Sequence, residues 1–356
     1  LVISSLLAAF PMQARWYTWA TVGYLAALYG LSSYLDRPQR GLHLLTAQGI
    51  LNFAFILVSL LVWTTQIYVP ELWRLQDLQQ LGVNLPFDFA NIQLRNGAPI
   101  GHQNYVAGYL VLALPLLVGL GIIHKGWQRW LWLGGAVLGL VDLYTTSSRA
   151  GWLGVLLLVG IGFITLLWQS RLPQHWLWLS GAAGLVALII IGFTNSRLRN
   201  TVTNLLTGQG GGEAAYRLIT VTTGWRMGSS HPFAGVGLGG VPLLYQQYRP
   251  TWAGREAELH YQLHSTPAQI WAELGLCGIL PALAAIGLLT YLSLRWLRSP
   301  HSPSISSPLS GYLLSALLAY ATFSLFDYQL DNVCISGTIV LYLAILATEF
   351  KHQEIA

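Results

Sequence analysis

His264 stands where a polar stretch runs into a helix start. In the segment Leu259-His260-Tyr261-Gln262-Leu263-His264-Ser265-Thr266-Pro267-Ala268-Gln269, Thr266 reads as an N-cap hydroxyl and Pro267 as the first helical residue. Gln269 then reads as the capping-box partner three residues after the cap. His264 lies just outside that N-terminus, where the partial positive charge of the helix favours a neutral imidazole and attracts anions. A neutral histidine beside an anion-attracting site, at the rim of an apolar slab, suggests a general base acting on a phosphorylated membrane lipid.

The anion would be met by arginine. Arg149, Arg197, Arg199, Arg217, Arg226, Arg249 and Arg255 are spread through polar segments; they are either a solvated basic surface or an anion-binding mouth. A helix is predicted over 213–229, after the glycine-rich stretch Gly208–Gly212. At 3.6 residues per turn it places Arg217 and Arg226 about half a turn apart, so the two cannot face one ligand. Arg217 shares its face with Thr220, Val221 and Gly224 and is the better substrate contact, whereas Arg226 suits a surface or headgroup. Further along, Asp142, Thr146 and Arg149 are spaced i, i+4, i+7 and would line one face of one helix. An ionisable residue within a span is a functional candidate, and Arg149 serves either as a phosphate ligand or as a snorkelling interface residue. Glu273 lies two turns below Thr266 and reads as a buried partner for Arg149 or another arginine.

Two other chemistries are open to these residues. Gly235, Gly237 and Gly240 satisfy the G-x-G-x-x-G spacing, but no strand precedes them and no βαβ unit fits, so a tight turn with close backbone approach is expected rather than a dinucleotide site. His260 and His264 have the i, i+4 spacing of a zinc pair. Tyr261 stands where the zinc-peptidase pattern needs glutamate, and only His231 or Glu258 offers a third ligand.

The elements that must hold these groups are membrane helices. Of 356 residues, 54% are apolar and 9% charged, against about a quarter charged in soluble domains. Apolar runs of crossing length, about 17–25 residues, are read near 16–35, 43–65, 105–123, 129–146, 151–168, 176–194, 268–294, 309–327 and 332–349. Residues 1–11 read as the tail of one more, and because the chain opens on Leu1 the natural protein is expected to extend further N-terminally. The expected fold is all-α, a polytopic bundle of about ten or more spans forming a single membrane domain over 1–356. Trp16, Trp63, Trp127, Trp130, Trp168, Trp176 and Trp296 fall near helix ends, as an interfacial belt would. Cys277 and Cys334 read as small packing residues.

Arg37 and Arg40, Lys125 and Arg129, Arg171, then Arg295 and Arg298 occupy alternate connections. The positive-inside rule makes those connections cytoplasmic. The long loops 66–104 and 195–266, with the turns at Ser147–Arg149 and Phe326–Asn332, are then extracytoplasmic. Much of the net charge of +5 is therefore topology, and a nucleic-acid partner is not called for. The Ser/Pro-rich piece Ser299–Ser307 reads as a cytoplasmic link.

Taken in order, Ser148-Arg149-Ala150-Gly151-Trp152, Arg217 with His231-Pro232-x-x-Gly235-x-Gly237-x-Gly239, and His264 with Ala272-Glu273-Leu274-Gly275 resemble the O-antigen ligase and polymerase superfamily, over about residues 100–335. Gly101-His102-Gln103-Asn104 leading into a helix resembles another of its marks. The resemblance implies a polytopic glycosyltransferase-type bundle in the bacterial cytoplasmic (inner) membrane, with its active site facing outward to the periplasm. It also implies a reaction, needing neither metal nor cofactor, that moves a glycan from an undecaprenyl-diphosphate carrier to a lipid, glycan or protein acceptor in cell-envelope polysaccharide and lipopolysaccharide synthesis. Arg149 and Arg217 would hold the diphosphate and His264 would activate the acceptor hydroxyl, with His102, Asn104, His231, Gly237 and Glu273 as substrate-binding candidates. Ser265 replaces a common asparagine, Val221 a common aromatic and Gln103 a usual proline, which leaves subfamily and acceptor open.

The chemistry is coherent without the family. Breaking a glycosyl–diphosphate bond builds negative charge that fixed arginines stabilise, while a base takes the acceptor's proton. A transporter, the reading suggested by relatives linked to inorganic-carbon uptake, would place its polar breaks near the midplane in two corresponding halves. An intramembrane metallopeptidase would need the zinc set above. Here Asp142, Arg149, Glu273, Asp327 and Asp331 all fall toward one side, as the transferase requires.

Overall fold

The computed structural model describes residues 2–169, 174–207, 212–254, 261–298 and 307–355, and among these all regular structure is helical. The helices are α1 (Val2–Leu6), α2 (Pro11–Tyr34), α3 (Pro38–Trp63), α4 (Val69–Gln80), α5 (Gln103–Ile123), α6 (Trp127–Thr146), α7 (Arg149–Gln169) and α8 (Gln174–Thr194). They continue with α9 (Ser196–Thr207), α10 (Gly212–Ser230), α11 (Val241–Tyr248), α12 (Thr266–Leu274), α13 (Leu276–Arg298), α14 (Ser307–Ser324) and α15 (Val333–Ile355). Four stretches among the described residues are long and apolar enough to cross a membrane: Gln39–Gln80, Gln103–Ile123, Leu276–Trp296 and Val333–Lys351. Arg149–Ile164 and Leu309–Ser324 are shorter apolar helices. This is a smaller set than the ten or so spans read from hydropathy.

The chain divides into two compact units. One comprises Gln39–Thr207 and Pro300–Tyr320. Its centre is α5, buried along nearly its whole length, with α6 and α7 packed on it. Small residues permit the close approach that van der Waals packing between membrane helices needs. A methyl group at Gly139 would meet Leu114 at 2.9 Å and Ile56 at 3.1 Å, and one at Gly154 would meet Val111 at 2.9 Å. The expected loop from 66 onward begins as helix, since α3 runs through a widened turn at Thr64–Tyr68 into α4. Pro70 follows that turn. It has no N–H to donate and its ring would clash with the carbonyl of residue 66 in a regular helix, so the widened turn absorbs it.

The other unit comprises Leu1–Pro38, Gly208–Ser299 and Ala321–Ala356. Here α15 packs on α2, and α10 packs on α12. Met227, Val236, Val241, Leu244, Tyr245, Leu263 and Ala272 form a buried cluster joining α10, α11 and α12. Each large apolar member contributes roughly 1.5–3 kcal/mol when taken out of water. The run 268–294, expected as one span, is instead broken at Gly275, whose φ of +55° ends α12. Amides at the start of α13 leave the helical ladder for the glycine-rich turn: Leu276 N–H donates to the Pro232 carbonyl at 2.8 Å and Cys277 N–H to that of Phe233 at 3.0 Å. Cys334 is exposed near the start of α15, not packed inside a helix as expected.

Candidate functional site

The glycine turn His231–Gly240 positions α12. Gly235, Gly237 and Gly239 all have φ between +66° and +96°, a region costly for any residue with a Cβ. A Cβ on Gly235 would collide with the backbone of Glu273 and Leu274. The close approach foreseen for this turn is thus made to the protein's own helix. Val236 N–H donates to the Ala272 carbonyl at 2.8 Å and Gly237 N–H to that of Glu273 at 3.1 Å. Glu273, buried, takes Gly239 N–H and Gln269 Nε2 on one carboxylate oxygen, each at 2.9 Å, so it serves the turn rather than an arginine. His231 is exposed at the end of α10, and its carbonyl accepts from Gly235 N–H at 2.8 Å.

The start of α12 differs in detail from its sequence reading. Ser265 occupies the cap position and Thr266 opens the helix. Thr266 Oγ1 donates instead to the Asp327 carbonyl at 2.9 Å. Gln269 reaches back past the cap, where its Oε1 accepts from Leu263 N–H at 3.0 Å. These bonds draw the residues before the helix into a tight bend that carries His264 at φ +49°. Left-handed backbone at a residue other than glycine costs about 1–2 kcal/mol and persists only where its surroundings over-determine it, commonly at active sites.

The surroundings of His264 are supplied by the short turn between α14 and α15. His264 Nδ1 lies 2.7 Å from Asp327 Oδ1. The Asp327 side chain is almost fully buried, while that of His264 is 22% exposed, so the imidazole reaches outward from a buried anchor. Gln329 Nε2 holds the second Asp327 oxygen at 3.1 Å, and Gln262 Nε2 bonds Asp331 Oδ2 at 2.6 Å. A carboxylate only accepts, so the ring nitrogen that faces Asp327, Nδ1, is the one that carries a hydrogen in this contact.

That same turn holds Arg217. Its Nη1 donates to the Phe326 carbonyl at 2.8 Å, and the guanidinium carbon lies 6.0 Å from the Phe326 ring centroid. One arm of the fork is thereby fixed by backbone and the plane is backed by an aromatic face. Tyr216, the preceding residue, packs its ring 5.4 Å from that of His264. Arg226 is exposed on the far side of the regular α10, as its spacing requires. Sequence reading missed Asp327, Phe326 and Tyr216 as parts of this arrangement. The acidic turn was visible as a topological marker, but nothing in its spacing points to a histidine 63 positions earlier.

The remaining candidates lie in the unit built on α5. His102 caps α5, its Nδ1 accepting from Asn104 N–H at 3.2 Å. Asn104 Oδ1 accepts from Ser148 Oγ at 3.0 Å, which brings both residues to the start of α7. The expected single face of Asp142, Thr146 and Arg149 does not exist. Helix α6 ends at Thr146, Ser147 turns the chain with φ +54°, and Arg149 opens α7. Asp142 is fully buried, taking Ser59 Oγ at 2.9 Å and Asn96 Nδ2 at 2.8 Å. Arg197 Nη1 donates to the Ser147 carbonyl at 2.9 Å, so this arginine braces the turn. His260, Glu258, Arg255, Arg171 and most of the 208–212 glycine stretch lie outside the described residues.

Residues 134–283 match the O-antigen ligase family. No curated protein matches the chain. The resemblance to the O-antigen ligase superfamily stands over these residues, a narrower interval than the one read from motifs. It contains Arg149, Arg217, His231, Gly237, His264 and Glu273. His102, Asn104 and the Asp327 turn lie beyond it, so the link between the O-antigen ligase region and Asp327 comes from the geometry alone.

Proposed function

We propose that this protein is a membrane glycosyltransferase that moves a glycan from an undecaprenyl-diphosphate carrier to a hydroxyl of a lipid, glycan or protein acceptor. The observation that carries the reading is one turn, Phe326–Asp327, gripping both the candidate base His264 and the candidate anion ligand Arg217 within a chain matching the O-antigen ligase family. In the proposed reaction the acceptor oxygen forms a bond to the anomeric carbon as that carbon's bond to the diphosphate oxygen breaks. His264 Nε2 takes the acceptor's proton, and Asp327 stabilises the imidazolium through Nδ1. Undecaprenyl diphosphate departs with the electron pair, its new negative charge met by the free arm of Arg217. Arg149, from its motif, is proposed to bind phosphate at the start of α7. The positive charge comes from arginine, so metal and cofactor are not needed for this chemistry. His102, Asn104 and His231 are proposed sugar or acceptor contacts, while the bonds made by Gly237 and Glu273 support a role in holding α12.

The proposal includes a bacterial cytoplasmic-membrane protein of about ten spans whose loops 66–104 and 195–266 face outward, supported by the charge bias of the short connections. Orientation is tested with single cysteines at Thr251 and Lys125, both exposed, in a background lacking Cys277 and Cys334. A membrane-impermeant thiol reagent on intact cells, outer membrane permeabilised where present, is expected to label position 251 and spare position 125. The reverse pattern places His264 in the cytoplasm and ends the reading.

Function itself is tested by carrier-lipid analysis of a deletion strain. Accumulated undecaprenyl-diphosphate glycan is the expected result. An unchanged lipid profile with loss of solute uptake overturns it in favour of transport.

A further inference from the structure

We infer that the outward face of α10 rests on the lipid bilayer and holds this helix at the level of the headgroups. Leu218, Val221 and Trp225 are spaced i, i+3, i+7 along α10 and share one face, and all three are exposed. Thr220, Thr223 and Met227, on the other side, are buried, and α10 packs on α12. At 3.6 residues per turn, Arg217 and Arg226 fall on opposite flanks of the exposed apolar face. An apolar strip bordered by basic side chains is the pattern of a helix lying in a membrane interface. There the aliphatic stems follow apolar surface while the charged heads reach the headgroups.

Two further observations make the bilayer the occupant of this face. Trp225 stacks on Trp271 of α12, with ring centroids 5.7 Å apart and planes inclined at 28°. Gly228 gives the second ring its seat, since a Cβ there would collide with the Trp271 indole. Trp271 Nε1 donates to the Trp225 carbonyl at 3.3 Å, which ties the pair together. Indoles held in this way suit the membrane–water interface, where tryptophan concentrates. The strip also continues into a span. Phe233 is exposed, and its carbonyl accepts from Cys277 N–H at 3.0 Å at the start of α13. Leu280, Leu283 and Ile286 are exposed along α13, within the stretch Leu276–Trp296 that is long and apolar enough to cross a membrane. Exposed apolar surface that runs from a span onto a neighbouring helix marks a membrane contact. The contact stands whether or not the chain transfers a glycan. With the proposed reaction, it keeps Arg217 at the level of a membrane-borne diphosphate.

The experiment places single cysteines at Leu218, Val221 and Phe233 in the full chain lacking Cys277 and Cys334, and labels each with a nitroxide. Leu283→Cys serves as the lipid reference and Thr251→Cys, exposed before the end of the outer loop, as the water reference. Each protein is reconstituted in nanodiscs of phosphatidylethanolamine and phosphatidylglycerol. Spin-resonance relaxation then compares collisions with oxygen, which concentrates among acyl chains, and with a nickel chelate, which stays in water. Labels at 218, 221 and 233 are expected to favour oxygen, as at 283, at a depth of about 5–10 Å into the headgroup–acyl boundary. The label at 251 is expected to favour nickel. Each position is read separately, so a variant that fails to fold leaves the other two to decide. Nickel-dominated collisions at 218 and 221 would place the face in water and overturn the inference. Low collision with both reagents at an immobilised label would show a protein surface covering it, a second copy or another chain, and overturns the inference equally.

Discussion

Replacing His264 with alanine is expected to lower transfer by about 10²–10⁴-fold, the usual contribution of a positioned general base, while donor binding persists. The imidazole is the group aimed outward from the Asp327 anchor, and its loss leaves Arg217 on Phe326 undisturbed. Asp327→Asn is the more discriminating variant. The amide oxygen can still accept from Nδ1–H, so the geometry can survive, but the charge that stabilises an imidazolium is gone and the amide nitrogen can stabilise the wrong tautomer. A loss of about 100-fold or more in kcat, with donor KM little changed, is expected on that ground. Asp331→Asn is the control, since the bond Asp331 accepts is from Gln262; it is expected to stay close to wild type. Steady-state transfer with purified protein checks all three. Full turnover in His264→Ala, or equal losses at Asp327 and Asp331, would show that the dyad is not the proton acceptor.

Arg217→Lys is expected to be nearly as damaging as Arg217→Ala, at about 10²–10³-fold in kcat, the range seen when one donor to a developing oxyanion is removed. The reason lies in how the guanidinium is divided. One N–H is committed to the Phe326 carbonyl at 2.8 Å, and the planar fork leaves other donors for the proposed diphosphate contact. An ammonium has no fixed fork and cannot serve the carbonyl and a diphosphate in the same way. Arg226→Lys, on the exposed far side of α10, is expected to leave turnover unchanged. Arg149→Lys, which keeps the charge but loses the planar fork, is expected to lower turnover as well. Titrating donor concentration separates binding from chemistry, and an Arg226 variant as impaired as Arg217 would mean that the wrong face of α10 was assigned to the substrate.

How much of this was legible beforehand depended on the range of the interaction. The helix carrying Arg217 was readable to within a residue at each end, because its length and the phase of Arg217 against Arg226 are local properties. The placement of His264 just before a proline-started helix was equally local. The glycine turn was legible as a close backbone approach, but not what it approaches: a positive φ at Gly235 follows from residue type, whereas the Glu273 backbone is brought there by packing. The breaks at Ser147 and Gly275 escaped for a related reason. Hydropathy averaged over a span is blind to a single left-handed residue, and so Asp142 and Arg149 were assigned to one helical face, and α12 and α13 to one span.

By itself, then, the chain determined an apolar, helical membrane protein, a basic residue set apart from the topological charges, and a histidine ahead of a helix start, since each depends on composition or on neighbours within a few turns. The tertiary structure decided that His264 answers to Asp327, that Arg217 rests on Phe326, and that Glu273 serves the glycine turn instead of an arginine. Those partners lie 34 to 109 positions apart along the chain. At such distances no periodicity links them, and only the packing of α10, α12 and the turn before α15 brings their side chains within hydrogen-bonding reach.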